Sequence, residues 1–246
     1  MGSDTGALWC VVPAAGRGAR FGAALPKQYV PLAGRPLIVQ TLQRLAALPG
    51  IRGFMLALAA DDRYWETDVA PLLDAPAMHG KPVQVTIGGP ERSASVLAAL
   101  HALPEDVPAS AFVLVHDAAR PCVRSGDVMR LVAQAGNGDG GLLGAPLRET
   151  LKHADADGCS IATEPRESRW RAFTPQMFRR DALTQALVDA RRDGVVVTDE
   201  AMAMERAGFR PLLVEGSEDN IKVTTPADLA LAEFLLSSDK DAASCA

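Results

Sequence analysis

The hydrophobic pattern of this 246-residue chain alternates between short unbroken apolar runs and longer stretches with helical spacing. Leu8 to Val12 is continuously apolar, the pattern of a strand covered on both faces. Pro36 is expected to open a helix whose apolar face is Leu37, Ile38, Leu42, Leu45 and Leu48. Phe54 to Ala59 and Val83 to Ile87 read as strands. Ser93 to Leu103 reads as a helix, with Val96, Leu97, Leu100 and Leu103 on one stripe. Phe112 to Val115 is a further buried strand that runs directly into His116 and Asp117, and Val128 to Ala135 is helical before a strand at Gly141 to Ala145. From Pro146 to about Thr174 charges are frequent and no period holds, which predicts an extended, hairpin-like excursion. A helix is expected from about Gln176 to Ala190, and another from Thr198-Asp199-Glu200, a good N-terminal signature. Leu212 to Glu215 and Ile221 to Val223 read as strands. Thr225-Pro226-Ala227-Asp228 caps a final helix through Leu236, with a frayed tail from Ser237. With no internal repeat and no linker, this order predicts one Rossmann-like α/β domain over 1–246. Its core is a doubly wound, mostly parallel sheet with an extended β-arm insertion at about 146–174.

Composition changes that picture little. The formal net charge of −5 gives no reason to expect nucleic acid or anionic membrane as a partner. Cys10, Cys122, Cys159 and Cys245 form no CxxC pair, which argues against a disulfide framework or zinc site and fits a reducing, cytoplasmic setting. No targeting segment or membrane span is predicted, because the apolar run Ala7 to Ala15 is short and lacks a basic leader.

The candidate chemistry begins with the loop Pro13-Ala14-Ala15-Gly16-Arg17-Gly18-Ala19-Arg20-Phe21-Gly22, directly after the first strand. A doubly wound sheet holds its ligand at such a place, and small residues let backbone N–H groups approach phosphate. The dinucleotide fingerprint would need glycine at Phe21, and Pro26 and Pro31 oppose a helix starting within the loop. The ATP P-loop would need Lys-Ser or Lys-Thr after Gly22. An NAD(P) oxidoreductase is therefore not expected. What remains is a long loop with Arg17, Arg20 and Lys27, which suits a triphosphate, although the glycines alone equally fit a solvated surface turn. Asp117, just past a buried strand, is placed to hold Mg²⁺; capping a turn or pairing with Arg120 are the other roles open to it. His116 is expected to be fixed in a strand-end hydrogen bond rather than to act as a base. Lys222 and Thr198 suit a second anion.

Taken together, Ala14-Ala15-Gly16, Arg20 and Pro26-Lys27-Gln28-Tyr29 resemble the nucleotide loop of the 2-C-methyl-D-erythritol 4-phosphate cytidylyltransferase family. The resemblance continues through Gly88-Gly89, Glu91-Arg92, Ser95, Val115 to Pro121, Thr174-Pro175-Gln176, Thr198 to Ala201 and Asn220 to Thr224, in order from about Leu8 to Leu235. It implies transfer of CMP from CTP to the polyol phosphate with Mg²⁺, releasing pyrophosphate, by a nucleotidyltransferase. Catalytic roles then fall to Arg20, Lys27, Asp117 (also the metal ligand) and Lys222. CTP is bound by Pro13, Ala14, Ala15, Gly16, Gly18, Gly88, Gly89, Ser95 and Ala118, with the backbone of Ala14 and Gly89 and the Ser95 hydroxyl lining the cytosine pocket. The acceptor site takes Arg120, Thr150, Arg166, Thr174, Thr198 and Lys222. The family's arm reaches the partner's site in a two-fold homodimer, so Thr150 and Arg166 are expected to act in trans. Pro90 departs from the pattern, standing where related enzymes often carry the aspartate of a ribose contact.

Two other readings compete. A ribitol 5-phosphate cytidylyltransferase would use a similar fold and loop, but Thr150, Arg166, Thr198 and Lys222 favour methylerythritol phosphate. A non-catalytic CTP sensor would not need Asp117, Arg20 and Lys27 together. No fused second enzyme is expected after the last core helix.

Overall fold

The computed structural model describes residues 8–16 and 25–244, the side chains of 239–244 excepted. Its eleven strands in chain order are β1 Leu8–Pro13, β2 Pro31–Leu32, β3 Arg35–Pro36, β4 Ile51–Leu58, β5 Val83–Ile87, β6 Phe112–Val115, β7 Gly141–Pro146, β8 Leu151–Ala154, β9 Ser160–Glu164, β10 Trp170–Arg179 and β11 Leu212–Glu215. The helices are α1 Leu37–Ala46, α2 Arg92–Ala102, α3 Ser125–Ala135, α4 Arg180–Arg192, α5 Glu200–Arg206 and α6 Pro226–Ser244. Seven strands form the central sheet in the order β11-β7-β10-β6-β1-β4-β5. All its pairings are parallel except those of β10, which runs antiparallel to both β6 and β7.

Alternate residues of β1 explain the layering. Cys10 and Val12 join one core with Ile38, Leu42 and Leu45 of α1 and Val128 and Leu131 of α3. Trp9 and Val11 join the opposite core with Val96 and Leu100 of α2 and Leu183 and Leu187 of α4. A strand with both faces covered has no polar side, which is why its sequence is unbroken apolar. Each fully buried leucine or isoleucine contributes about 2 kcal/mol by removal from water. A third, smaller cluster seats α6 through Ala232 and Leu236 on Leu32, Leu37, Cys122 and Val223.

Several expectations are corrected. Gln176 to Arg179 is not helical but the end of β10, and α4 begins at Arg180. Residues Phe173 to Phe178 are buried without alternation, and the break in the β7 ladder falls between Ala172 and Gln176, around Pro175, which has no N–H to donate. The charged excursion is accordingly shorter than expected, because Trp170 already pairs with Pro146 in the central sheet. Between them β8 and β9 form their own two-stranded antiparallel sheet. Ile221 to Val223 is no strand; Val223 donates one backbone hydrogen bond to the Ala119 carbonyl at 2.8 Å and buries its side chain under α6. α6 continues to Ser244 instead of ending at Leu236. Its start is capped as expected, with Asp228 accepting from the backbone N–H of Thr224 at 2.9 Å and of Thr225 at 2.8 Å.

Candidate active site

β1 lies between β4 and β6, so the chain leaves it on one side and returns on the other. The carboxyl ends of β1 and β6 therefore border the crevice where open α/β sheets take ligands. A cleft of about 360 Å³ opens there. One wall is Pro13 to Gly16. The Ala14 N–H donates to the Ala57 carbonyl at 2.8 Å, and the Ala14 carbonyl accepts from the buried Gln28 amide at 2.8 Å. That second bond seats Lys27 beside the loop, where its ammonium donates to the Val223 carbonyl at 3.3 Å. Opposite stands the turn Gly88-Gly89-Pro90. A Cβ on Gly88 would come within 2.7 Å of Ala15 Cβ and 2.9 Å of Ser95 Oγ, so only glycine lets the two walls pack. Ser95 Oγ lies 3.2 Å from the Gly89 N–H and carbonyl and 3.1 Å from the Glu91 carbonyl, tying the turn to α2.

The floor is Asp117, whose side chain is 9% exposed and ringed by cations. Oδ1 accepts from Arg92 Nε at 2.9 Å; Oδ2 meets Lys222 Nζ at 2.8 Å and Arg120 Nε at 3.5 Å. Burial alone would raise its pKa, but Arg92 and Lys222, then Arg120, reverse that and hold the carboxyl well below the usual carboxylate range. Arg92 in turn carries two bonds to Glu200, at 2.6 and 3.1 Å. Burial opposes the charge of Arg92, yet Glu200 and Asp117 raise its pKa above the ordinary arginine value. Behind Asp117 a buried network fixes the strand end. The Asp117 N–H donates to Thr174 Oγ1 at 3.0 Å, and Thr174 Oγ1 lies 3.1 Å from His116 Nδ1. His116 Nε2 donates to the Arg120 carbonyl at 3.0 Å, and Arg120 Nη1 donates to the Asn220 carbonyl at 2.6 Å. A carbonyl only accepts, so His116 carries its proton on Nε2 and takes the Thr174 hydroxyl on Nδ1.

Of the residues expected at the site, the fold brings Pro13, Ala14, Ala15, Gly16, Lys27, Gly89, Ser95, Asp117, Ala118 and Lys222 to this cleft. Gly88 stands just behind the wall. Arg120 and Thr174 are buried beneath Asp117 rather than lining the cleft. Thr150 and Arg166 are exposed on the excursion, Arg166 donating to the Arg148 carbonyl, and Thr198 is exposed ahead of α5. Gly18 and Arg20 lie outside the described residues. Arg92, Glu200 and Gln28 were not singled out for roles from the sequence. Arg92 was detectable only as a cation opening a helix after a glycine turn, and nothing local ties it to a carboxylate 108 residues away.

Among the described residues no group of three or more histidine, cysteine, aspartate and glutamate side chains is placed to hold a metal ion. Nor is any helix among them long and apolar enough to cross a membrane.

Comparison with known proteins bears directly on this arrangement. The model of the 2-C-methyl-D-erythritol 4-phosphate cytidylyltransferase family matches residues 8–238. The protein of that name from Xanthomonas campestris pv. campestris (strain 8004) is 56% identical over 236 residues, covering 95% of this chain and 86% of the relative. Its counterpart from Xanthomonas oryzae pv. oryzae (strain PXO99A) is 55% identical over 233 residues, covering 94% and 83%. Among solved structures, the cytidylyltransferase of this name from Francisella tularensis aligns with a TM-score of 0.76 at 31% identity, over 92% of this chain and 98% of its own. That from Thermus thermophilus aligns with a TM-score of 0.74 at 30% identity, over 93% and 98%.

Proposed function

The chain belongs to the 2-C-methyl-D-erythritol 4-phosphate cytidylyltransferase family, and from that premise we propose how its cleft works. It is a nucleotidyltransferase that joins CMP from CTP to 2-C-methyl-D-erythritol 4-phosphate, giving 4-(CDP)-2-C-methyl-D-erythritol and pyrophosphate in isoprenoid precursor biosynthesis. The observation that carries the mechanism is Asp117 in its ring of three cations at the floor of the cleft.

An oxygen of the acceptor phosphate attacks the α-phosphorus of CTP in line with the departing pyrophosphate. The acceptor is already anionic at neutral pH, so the protein needs no strong base; its task is positioning and neutralising charge. Lys27 and Lys222 both line the cleft and meet the phosphates, with Arg20 assigned to the same task from its place in the loop. The carbonyls of Ala14 and Gly89 are acceptors for the cytosine amine, with Ser95 orienting Gly89. Arg120 and Thr174 serve the acceptor indirectly, by holding Asp117.

Mg²⁺ fits the donor set in one mode. Oδ2 of Asp117 is engaged by two cations, but Oδ1 meets Arg92 alone among the ion pairs described, which leaves it a lone pair. An ion there would be held by the single carboxylate of Asp117 and would leave its other positions to substrate phosphate and water, as is usual for Mg²⁺. Bound in that way it supplies charge neutralisation for the triphosphate.

Thr150 and Arg166 are assigned to the acceptor site of a partner subunit in a two-fold homodimer. The support is that neither lines its own chain's cleft, and that the hairpin leaves Ile161 60% exposed. A cytoplasmic setting is in keeping with Cys10 and Cys159 as thiols, and no nucleic acid or membrane partner is assigned.

The substrate reading is tested by following pyrophosphate release with each of the four ribonucleoside triphosphates against several polyol phosphates. CTP with methylerythritol phosphate is the expected best pair. Faster turnover with ribitol 5-phosphate would overturn that specificity.

A further inference from the structure

Arg92 is the first residue of α2, and its guanidinium is shared between two carboxylates that lie on different elements. Nε donates to Asp117 Oδ1 at 2.9 Å, while Nη1 and Nη2 donate to the two oxygens of Glu200 at 2.6 and 3.1 Å. Such a two-pronged contact fixes the plane of the guanidinium as well as its position. Glu200 itself does not line the cleft; its side chain is 1% exposed, whereas that of Arg92 is 25% exposed and faces the cleft. A carboxylate so deeply buried is costly unless it is paired, so the pairing with Arg92 is obligatory.

The element that carries Glu200 is itself fastened. The Ala201 N–H donates to Gln176 Oε1 at 2.8 Å, and Gln176 Nε2 donates to Asp199 Oδ2 at 2.9 Å. Asp199 Oδ1 accepts from the Met202 N–H at 3.0 Å, closing the first turn of α5. Glu200 therefore stands on a rigid mount, tied to β10 close to the Thr174 that holds Asp117.

We infer that Glu200 is a positioning residue for nucleotidyl transfer, acting through Arg92 to hold the guanidinium between Asp117 and the cleft. This deepens the function proposed above and rests on it. The charges support the assignment. Arg92, Arg120 and Lys222 carry three positive charges against the two negative charges of Asp117 and Glu200. Removing the charge of Glu200 leaves the cleft more positive, which favours the bound triphosphate, while it frees the guanidinium that must meet charge developing at the transition state. A simple brace between α2 and α5 predicts lower stability with no such split.

The test is a double-mutant cycle on Glu200→Gln and Arg92→Ala, each measured for kcat, KM for CTP and Tm. Glu200→Gln is expected to lower kcat by about 10- to 100-fold with KM for CTP unchanged or reduced. In the Arg92→Ala background the same substitution should lower kcat by less than about threefold, because the residue it acts through has gone. Arg92→Lys keeps the charge and loses the fork, so it should reproduce most of the Glu200→Gln loss, and Glu200→Asp should restore part of it. These two variants carry the test if Glu200→Gln does not fold. Additive losses in the cycle, or a fall in Tm with unchanged kcat, would overturn the inference. The cycle is run with whichever polyol phosphate the wild type turns over fastest. A preference for ribitol 5-phosphate would then sink the substrate assignment and leave the cycle readable.

Discussion

His116 is the residue whose chemistry is most easily misread. It sits at the end of β6, beside Asp117, and a histidine there invites assignment as a base. The sequence already pointed to a strand-end hydrogen bond instead, and the structure bears this out. It is fully buried, both ring nitrogens are engaged, and its pKa is lowered to about 4 by burial, which outweighs the opposing pull of the Arg120 carbonyl and Asp117. At neutral pH it is a neutral crosslink between Thr174 and the Arg120 carbonyl. The sign of the stability effect follows. The unfolded chain takes up a proton at this histidine near pH 6.5, while the folded chain resists until about 4. Unfolding therefore binds protons in that window, and stability falls as pH drops through it. The loss should approach roughly 3 kcal/mol when the window has been crossed. Urea unfolding of wild type and His116→Gln at a series of pH values measures it. The difference between the two stability curves should shrink or reverse below pH 6 as the wild type loses its advantage; parallel curves would show that His116 carries no such penalty.

The same residue scale shows how context decides a role. Asp117 pairs with Arg120, one of the alternatives its sequence left open, yet it also holds Arg92 and Lys222. The Arg120 pairing is thus one of three ion pairs that meet at this carboxylate.

At the scale of elements, the segment Pro13 to Gly16 after β1 and the turn after β5 form one unit across the cleft. The contact between Gly88 and the Ala15 and Ser95 side chains sets their separation. Gly88→Ala has to push the loop and α2 apart, since both contacting atoms belong to short side chains with no flexible end. Overpacking of this kind costs about 1–3 kcal/mol, which is a fall of several degrees in Tm for a chain of this size. Its effect on function should be larger, with KM for CTP rising on the order of 10-fold if, as proposed, these walls take the nucleotide. Calorimetry with and without CTP separates the two. A lowered Tm with unchanged CTP affinity would mean that the wall spacing is not set here. Elements also differ in how openly they announce themselves. β5, β6 and β11 have the bounds their apolar runs predicted. β10 does not, because a proline within it and burial on both faces remove the usual cues.

The whole molecule raises the question of whether one chain makes a complete site. The central sheet gathers Pro13 to Gly16, Lys27, Asp117 and Lys222 into one cleft, but leaves Thr150 and Arg166 exposed on the excursion around β8 and β9. If these residues act in a partner's cleft, two inactive variants should rescue one another. Asp117→Ala mixed with Arg166→Ala under conditions of subunit exchange yields mixed dimers in which one of the two sites has both residues. With random pairing, activity should return to roughly a quarter of wild type by symmetry. Continued inactivity with exchange demonstrated would place Arg166 in its own chain's site.

Local pattern alone carried much of this protein. Unbroken apolar runs separated by helical stretches are consequences of sheets with helices on both faces, so the class of fold and most strand positions were legible. The loop at Pro13 to Gly16, Lys27 and Asp117 could be picked out beside the ends of apolar runs, and Lys222 as a cation, but the family resemblance was needed to set them above ordinary turns and ion pairs. Tertiary structure alone decided what these groups do to one another. Arg92 meets Glu200 across 108 positions, and Thr174 reaches Asp117 across 57, distances over which no periodicity extends. The placement of β10 between β6 and β7 was equally invisible, since an antiparallel strand in a parallel sheet is chosen by its neighbours and not by its own residues. Burial, finally, is a property of the packed molecule. It keeps His116, already expected to be fixed in a strand-end hydrogen bond, neutral as a crosslink, and it makes the charge of Asp117 depend on cations supplied from three separate segments.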